Sequence, residues 1–153
     1  MIVQYAKTRH NSRTPVRANP SDAGLDIFYS PADDEVGGKW LTPGSSALFS
    51  TGLKFGIPHG YMLEVKNRSG MAARRSLVVG ACVVDSGYTG ELFVNLHNIG
   101  KEPQHLLPGT KIAQLVMTPV VHFNPQEAPA EHLYEHPITI SDRGTGALGS
   151  TDE

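Results

Sequence analysis

Glycine and proline divide this chain more finely than a helical fold tolerates. The 153 residues include 16 glycines and 11 prolines, and past Pro15 the stretches free of both run to about nine residues. An average helix needs about 11–12. The segments between breaks alternate as strands do. Tyr61, Leu63 and Val65 share one face of residues 61–66, with Met62, Glu64 and Lys66 on the other. Residues 91–98 repeat the pattern, with Leu92, Val94 and Leu96 alternating with Phe93, Asn95 and His97. Residues 111–117 are apolar on one face, while Ile112 and Val116 flank Gln114 on the other. Thr42-Pro43-Gly44, Ile57-Pro58-His59-Gly60 and Leu107-Pro108-Gly109 supply tight turns between antiparallel strands. The expectation is an all-β sandwich, jelly roll or barrel, with one short helix over 69–75 that Ser69 would cap. Residues 1–123 read as the β core. Residues 124–153, with Pro125, Pro129 and Pro137, read as a connector and a glycine-rich C-terminal arm of the same domain.

Composition excludes several function classes. Hydrophobic residues at 39% and charged residues at 18% belong to a packed globule. Thirteen Lys and Arg against fifteen Asp and Glu give a net charge of −2, too little positive charge for stable nucleic-acid binding, so any polyanion bound is small. One cysteine, Cys82, excludes a disulfide framework and a Cys-rich zinc site. The N-terminus has no signal-peptide apolar core, and no stretch approaches the ~20 apolar residues of a membrane span. The expectation is a soluble, intracellular protein, cytoplasmic in its own cell or in a host, with no membrane partner.

Four clusters carry chemistry, each with an ordinary alternative. Arg143 to Thr151 joins one fixed cation, three glycines and, at its end, two hydroxyls, a set able to wrap phosphate oxygens or simply to fray. Arg68, Ser69 and Gly70 stand at the predicted helix start, which is either an anion site or a common capped turn. An apolar strand running from Gly80 into Asp85, with turns at Gly87 and Gly90 and a ring at Tyr88, either orders a water or only caps its own turn. Asp26, between Leu25 and Ile27, needs a partner or a metal unless it sits at a surface strand end.

Taken in order, these motifs resemble the trimeric deoxyuridine triphosphatase (dUTPase) family. They read Ala23-Gly24-Leu25-Asp26, Arg68-Ser69-Gly70-Met71-Ala72, Val83 to Glu91, Pro108 to Leu115 and Arg143 to Thr151, covering nearly the whole chain. The resemblance implies a distorted β jelly roll, assembled as a homotrimer with three sites at subunit interfaces and a C-terminal arm closing a neighbouring site. It implies hydrolysis of dUTP to dUMP and pyrophosphate with Mg2+, limiting uracil incorporation into DNA and supplying dUMP for thymidylate synthesis. Carried over by residue, Asp85 orients and deprotonates the water that attacks the α-phosphorus. Tyr88 lies under the deoxyribose, where a 2′-hydroxyl has no space. Backbone around Cys82 and Val83 reads uracil, and Arg68, Ser69, Gly70 and Gln114 contact phosphates or hold those contacts. Asp26 supports the site through Arg68 or a magnesium-bound water, the ion itself being held mainly by substrate phosphates. Arg143, Leu148, Gly149, Ser150 and Thr151 belong to the closing arm.

The chain departs from the family pattern at four positions. Leu148 stands where an aromatic residue usually stacks on uracil, Ala147 and Cys82 replace usual glycines, and Asn67 stands where proline is frequent. Leu148 keeps an apolar lid without a π-face, which implies weaker closure or a higher KM. Cys82 reads as a small buried hydrophobe whose side chain points away from uracil. His132-Leu133-Tyr134-Glu135-His136 matches a zinc-peptidase pattern, but Pro129 and Pro137 leave too little room for the helix it requires. Two alternatives stay open. One is a dCTP deaminase of the same fold, which needs a further glutamate beside the pyrimidine, Glu64 being the nearest upstream of the hairpin. The other is a nucleotide-gated, non-catalytic binding protein.

Overall fold

A central strand, Lys111–Pro119, collects three of the sequence motifs around itself. The computed structural model describes residues 1–33 and 36–135. In chain order these form β1 (Gln4–Lys7), β2 (Leu25–Phe28), β3 (Lys39–Leu41), β4 (Ser46–Ser50), β5 (Leu53–Gly56), β6 (Tyr61–Lys66), α1 (Ser69–Arg75), β7 (Leu77–Val79), β8 (Val83–Val84), β9 (Phe93–Asn98), β10 (Gln104–Leu106) and β11 (Lys111–Pro119). The described residues are mostly β with one short helix, and the pairings between these strands are antiparallel. One sheet runs β2-β11-β6-β8 and a second β4-β9-β7, with β1-β5 and β10-β3 as two-stranded ribbons. Among the described residues, no helix is long and apolar enough to cross a membrane.

Alternation places the core. Leu63 and Val65 of β6 are buried, as are Val94 and Leu96 of β9, and they join Ile27, Phe49, Leu77 and Leu115 in one apolar cluster. Burying a side chain of this size contributes roughly 1.5–3 kcal/mol. Strand β11 breaks the expected alternation at its start. The register against β2 shifts between Lys111 and Ala113, so Ile112 and Ala113 are both buried instead of Ile112 sharing a face with Gln114. Such a bulge re-aims the neighbouring side chain. Here that side chain is Lys111.

Helix α1 begins one residue differently from a serine-capped turn. Arg68 occupies the N-cap position with extended backbone and no side-chain cap bond, its carbonyl accepting the N–H groups of Met71 and Ala72 at 3.0 Å each. Ser76 ends the helix in the left-handed region at φ 52°, returning its N–H to the Ala72 carbonyl.

By their internal contacts the residues divide into two units, Met1–Val121 and His122–Glu153. In the second, residues 122–129 carry no regular structure and 130–135 form turns, with His132 and Glu135 donating backbone bonds to Pro129 and His132. His136, the last residue of the zinc-peptidase pattern, lies outside the described residues.

Candidate active site

Asp26 is the electrostatic centre of one cluster. Its side chain is only 14% exposed, and it takes Arg68 Nε on Oδ1 and Lys111 Nζ on Oδ2, both at 2.8 Å. Burial pushes this carboxyl up, but the bonds from Lys111 and Arg68 outweigh it and hold the group below its ordinary value. Two cations against one carboxylate leave the cluster with an excess positive charge, suited to an anion. Arg68 also reaches the Lys111 carbonyl through Nη1 at 3.4 Å. The sequence marks Asp26 as needing a partner. The bulge in β11 is what supplies Lys111.

Gln114 ties the same region together. It pairs with Asp26 on β2 and with Lys66 on β6, and its Nε2 donates to the Asn67 carbonyl at 2.8 Å. A Cβ at Gly24 would overlap the Gln114 side-chain amide, so the first motif keeps glycine to make space for the fourth. Asn67, standing where proline is frequent, accepts the Val79 N–H on Oδ1 at 2.6 Å. A proline there would have no such acceptor. Ser69 and Gly70 follow at the exposed start of α1.

The second cluster is the hairpin after β8. Val83 and Val84 pair with Glu64 and Leu63, and the Cys82 carbonyl accepts the Val65 N–H at 2.7 Å. Asp85 and Tyr88 then close a turn, with the Tyr88 N–H on the Asp85 carbonyl at 3.2 Å and Gly87 at φ 91°. That conformation favours glycine. A cavity of about 200 Å³ is lined by Ala81, Val83, Asp85, Tyr88 and Phe93 among others. Asp85 is exposed, and its turn is closed by backbone groups. Tyr88, 48% exposed, donates its hydroxyl to the Glu91 carbonyl at 2.8 Å.

Glu64 lies level with Val83 in the β6–β8 register, nearer the hairpin than its place in the sequence implies, and its carboxylate is paired with Lys66. Sequence reasoning also missed Arg9, whose guanidinium grips Glu91 across 82 residues. No local pattern signals such a pair.

The structure thus brings Asp26, Arg68, Lys111 and Gln114 together, and separately groups Cys82, Val83, Asp85 and Tyr88. On the β6–β8 register Val84, the residue before Asp85, lies level with Leu63, five positions from Arg68, or roughly 17 Å along an extended chain. Arg143, Leu148, Gly149, Ser150 and Thr151 lie outside the described residues. Among the described residues, no three His, Cys, Asp or Glu side chains converge as a metal site.

A match to the dUTPase family spans residues 10–151. The chain belongs to the dUTPase family. It is 33% identical to a deoxyuridine 5′-triphosphate nucleotidohydrolase of Chlamydia muridarum over 151 residues, 97% of each chain. Among solved structures it resembles a dUTPase variant of Staphylococcus bacteriophage 80alpha with dUpNHpp, at a TM-score of 0.82 and 25% identity over 98% of each chain. It also resembles a variant dUTPase from phage phi11 of S. aureus described with a structural Mg(II) ion, at a TM-score of 0.74 and 25% identity over 84% of this chain and 97% of that one. The motifs of this dUTPase-family chain that lie within the described residues therefore sit in two clusters.

Proposed function

We propose that this chain hydrolyses dUTP to dUMP and pyrophosphate, with Asp85 as the group that activates water. The family match over residues 10–151 supports the reaction. The observation that carries the assignment of Asp85 is its position on the wall of the hairpin cavity, exposed, with its turn already closed by backbone bonds. The Asp85 carboxylate accepts a proton from water while the water oxygen bonds to the α-phosphorus. The bond from that phosphorus to the α,β-bridging oxygen breaks, and pyrophosphate leaves with the electron pair. An aspartate is a weak base at neutral pH, so the contribution of Asp85 is mainly to hold the water in line.

Arg68 meets the triphosphate, and Asp26 fixes the direction of its guanidinium through Nε. Ser69, Gly70 and Gln114 complete that wall. Tyr88 lies beneath the sugar and excludes a 2′-hydroxyl, while backbone at Cys82 and Val83 reads uracil. The separation of roughly 17 Å along β6 between the end of β8, where Asp85 follows, and Arg68 supports a shared site. A second copy brings an Asp85 to an Arg68, as the homotrimer requires, with Arg143 and the 148–151 arm closing over the nucleotide.

Magnesium enters with the nucleotide in this account. Both Asp26 oxygens are engaged by cations, which does not fit a direct magnesium ligand, while each oxygen keeps acceptor capacity for a magnesium-bound water. The ion is assigned to the phosphates and carries no step here. Hydrolysis in water labelled with 18O tests the bond that breaks. Label in the dUMP phosphate supports attack at the α-phosphorus, and label in pyrophosphate contradicts it. Glu64 beside Val83 gives the deaminase alternative one foothold, and ammonia release from dCTP would decide for it.

A further inference from the structure

The base of the Tyr88 hairpin is held by a residue that precedes the family match. Arg9 donates Nη1 to Glu91 Oε2 at 2.8 Å and Nη2 to Glu91 Oε1 at 2.7 Å, a two-pronged grip on one carboxylate. The same Nη2 reaches the Ser30 carbonyl at 2.9 Å and the Ser50 hydroxyl. Glu91 in turn accepts the Gly52 N–H at 2.9 Å and the Ser50 hydroxyl. Four segments, around residues 9, 30, 50–52 and 91, therefore meet at this ion pair, whose Glu91 side chain is 15% exposed. The next residue, Leu92, is fixed by its N–H on the Leu53 carbonyl at 2.8 Å and by the Thr51 hydroxyl on its own carbonyl at 2.6 Å.

Tyr88 depends on this anchorage. Its ring is half exposed, so core packing does not set its plane. Two things set it. The hydroxyl docks on the Glu91 carbonyl at 2.8 Å, and the ring lies where a Cβ at Gly90 would collide with it. A shift of the Glu91 backbone thus carries the ring with it.

We propose that Arg9 is a positioning residue for sugar discrimination: by clamping the Glu91 carboxylate it fixes the carbonyl on which Tyr88 docks, and so the plane of the ring that rejects a ribonucleotide. The inference rests on the reading that Tyr88 lies under the deoxyribose. It adds a part of the chain outside the five motifs to the specificity of the site. Lysine at position 9 keeps the charge but cannot reproduce the planar fork.

The test compares kcat and KM for dUTP and UTP in the wild type, Arg9→Lys, Tyr88→Phe and the double variant, each with a thermal melt. Arg9→Lys is expected to lower the dUTP-to-UTP ratio of kcat/KM about ten-fold, the scale of one hydrogen bond. The loss should fall on KM rather than on kcat. Tyr88→Phe lacks only the docking hydroxyl and is expected to lower the ratio similarly. The double variant should lose no more than either single one, because both act through the same contact. An unchanged ratio in an Arg9→Lys protein that melts like the wild type overturns the clamp, as does additive loss in the double variant. Should Arg9→Lys fail to fold, an undiminished ratio in Tyr88→Phe overturns it instead. A wild type that hydrolyses dUTP and UTP equally overturns the underlying reading of Tyr88, a result distinct from both.

Discussion

Gln114 fills the space that any side chain at Gly24 would need. Strand β11 sits between β2 and β6, so this one glutamine is packed against the first motif while its amide holds the loop that leads to Arg68. Gly24→Ala is therefore expected to displace Gln114 and break its bond to Asn67, destabilising the protein by about 1–3 kcal/mol. Urea denaturation of the variant measures the loss, and a rise in KM for dUTP should accompany it.

The Asp26 carboxylate holds two cations whose positions matter for an anionic substrate. Asp26→Asn keeps the shape of the side chain and removes its charge, leaving Arg68 and Lys111 without their shared partner. The expected outcome is a stability loss of about 1–3 kcal/mol. KM for dUTP should rise more than kcat falls, because Arg68 is misdirected rather than removed. Steady-state kinetics beside thermal melts would separate the two effects.

Much of this site was legible from single residues. The alternation in 61–66 and 92–97 reveals β6 and β9 because each buries one face only, and an aspartate between Leu25 and Ile27 announces a missing partner. What stayed hidden depends on distant segments. The bulge that buries both Ile112 and Ala113 arises from pairing with β2, so the alternation assigned to 111–117 fails at its first residues. Ser69 has the composition of a cap, yet Arg68 holds that position. The Arg9–Glu91 pair spans 82 residues and leaves no periodic trace.

Acid stability should expose that pair. Burial pushes the Glu91 carboxyl up, but bonds from Arg9, Ser50 and the Gly52 N–H prevail and hold it at about 2, against an ordinary 4.5. A carboxyl held low when folded stabilises fully above its unfolded value, and that contribution is lost as pH falls toward the folded one. Stability should therefore decline from about pH 4.5 toward about pH 2. In Glu91→Gln the decline across this window should be shallower, from a lower starting stability. Melting temperatures taken between those pH values check both statements.

Leu148 lies outside the described residues, and its consequence follows from chemistry alone. An aromatic ring stacked on a base is worth about 1–3 kcal/mol, so Leu148→Phe is expected to lower KM for dUTP by about five-fold or more, with kcat little changed. An unaltered KM would show that the arm does not close over the base through this position.

Pyrophosphate release reads out the role of Asp85. Release should be measured from dUTP, dCTP, dTTP and UTP with magnesium, for the wild type and Asp85→Asn, with dUTP binding followed in parallel. Release should be selective for dUTP in the wild type and should collapse by about 100-fold or more in the variant, which still binds dUTP. Release that Asp85→Asn retains, or a wild type that releases none from dUTP, would contradict that role.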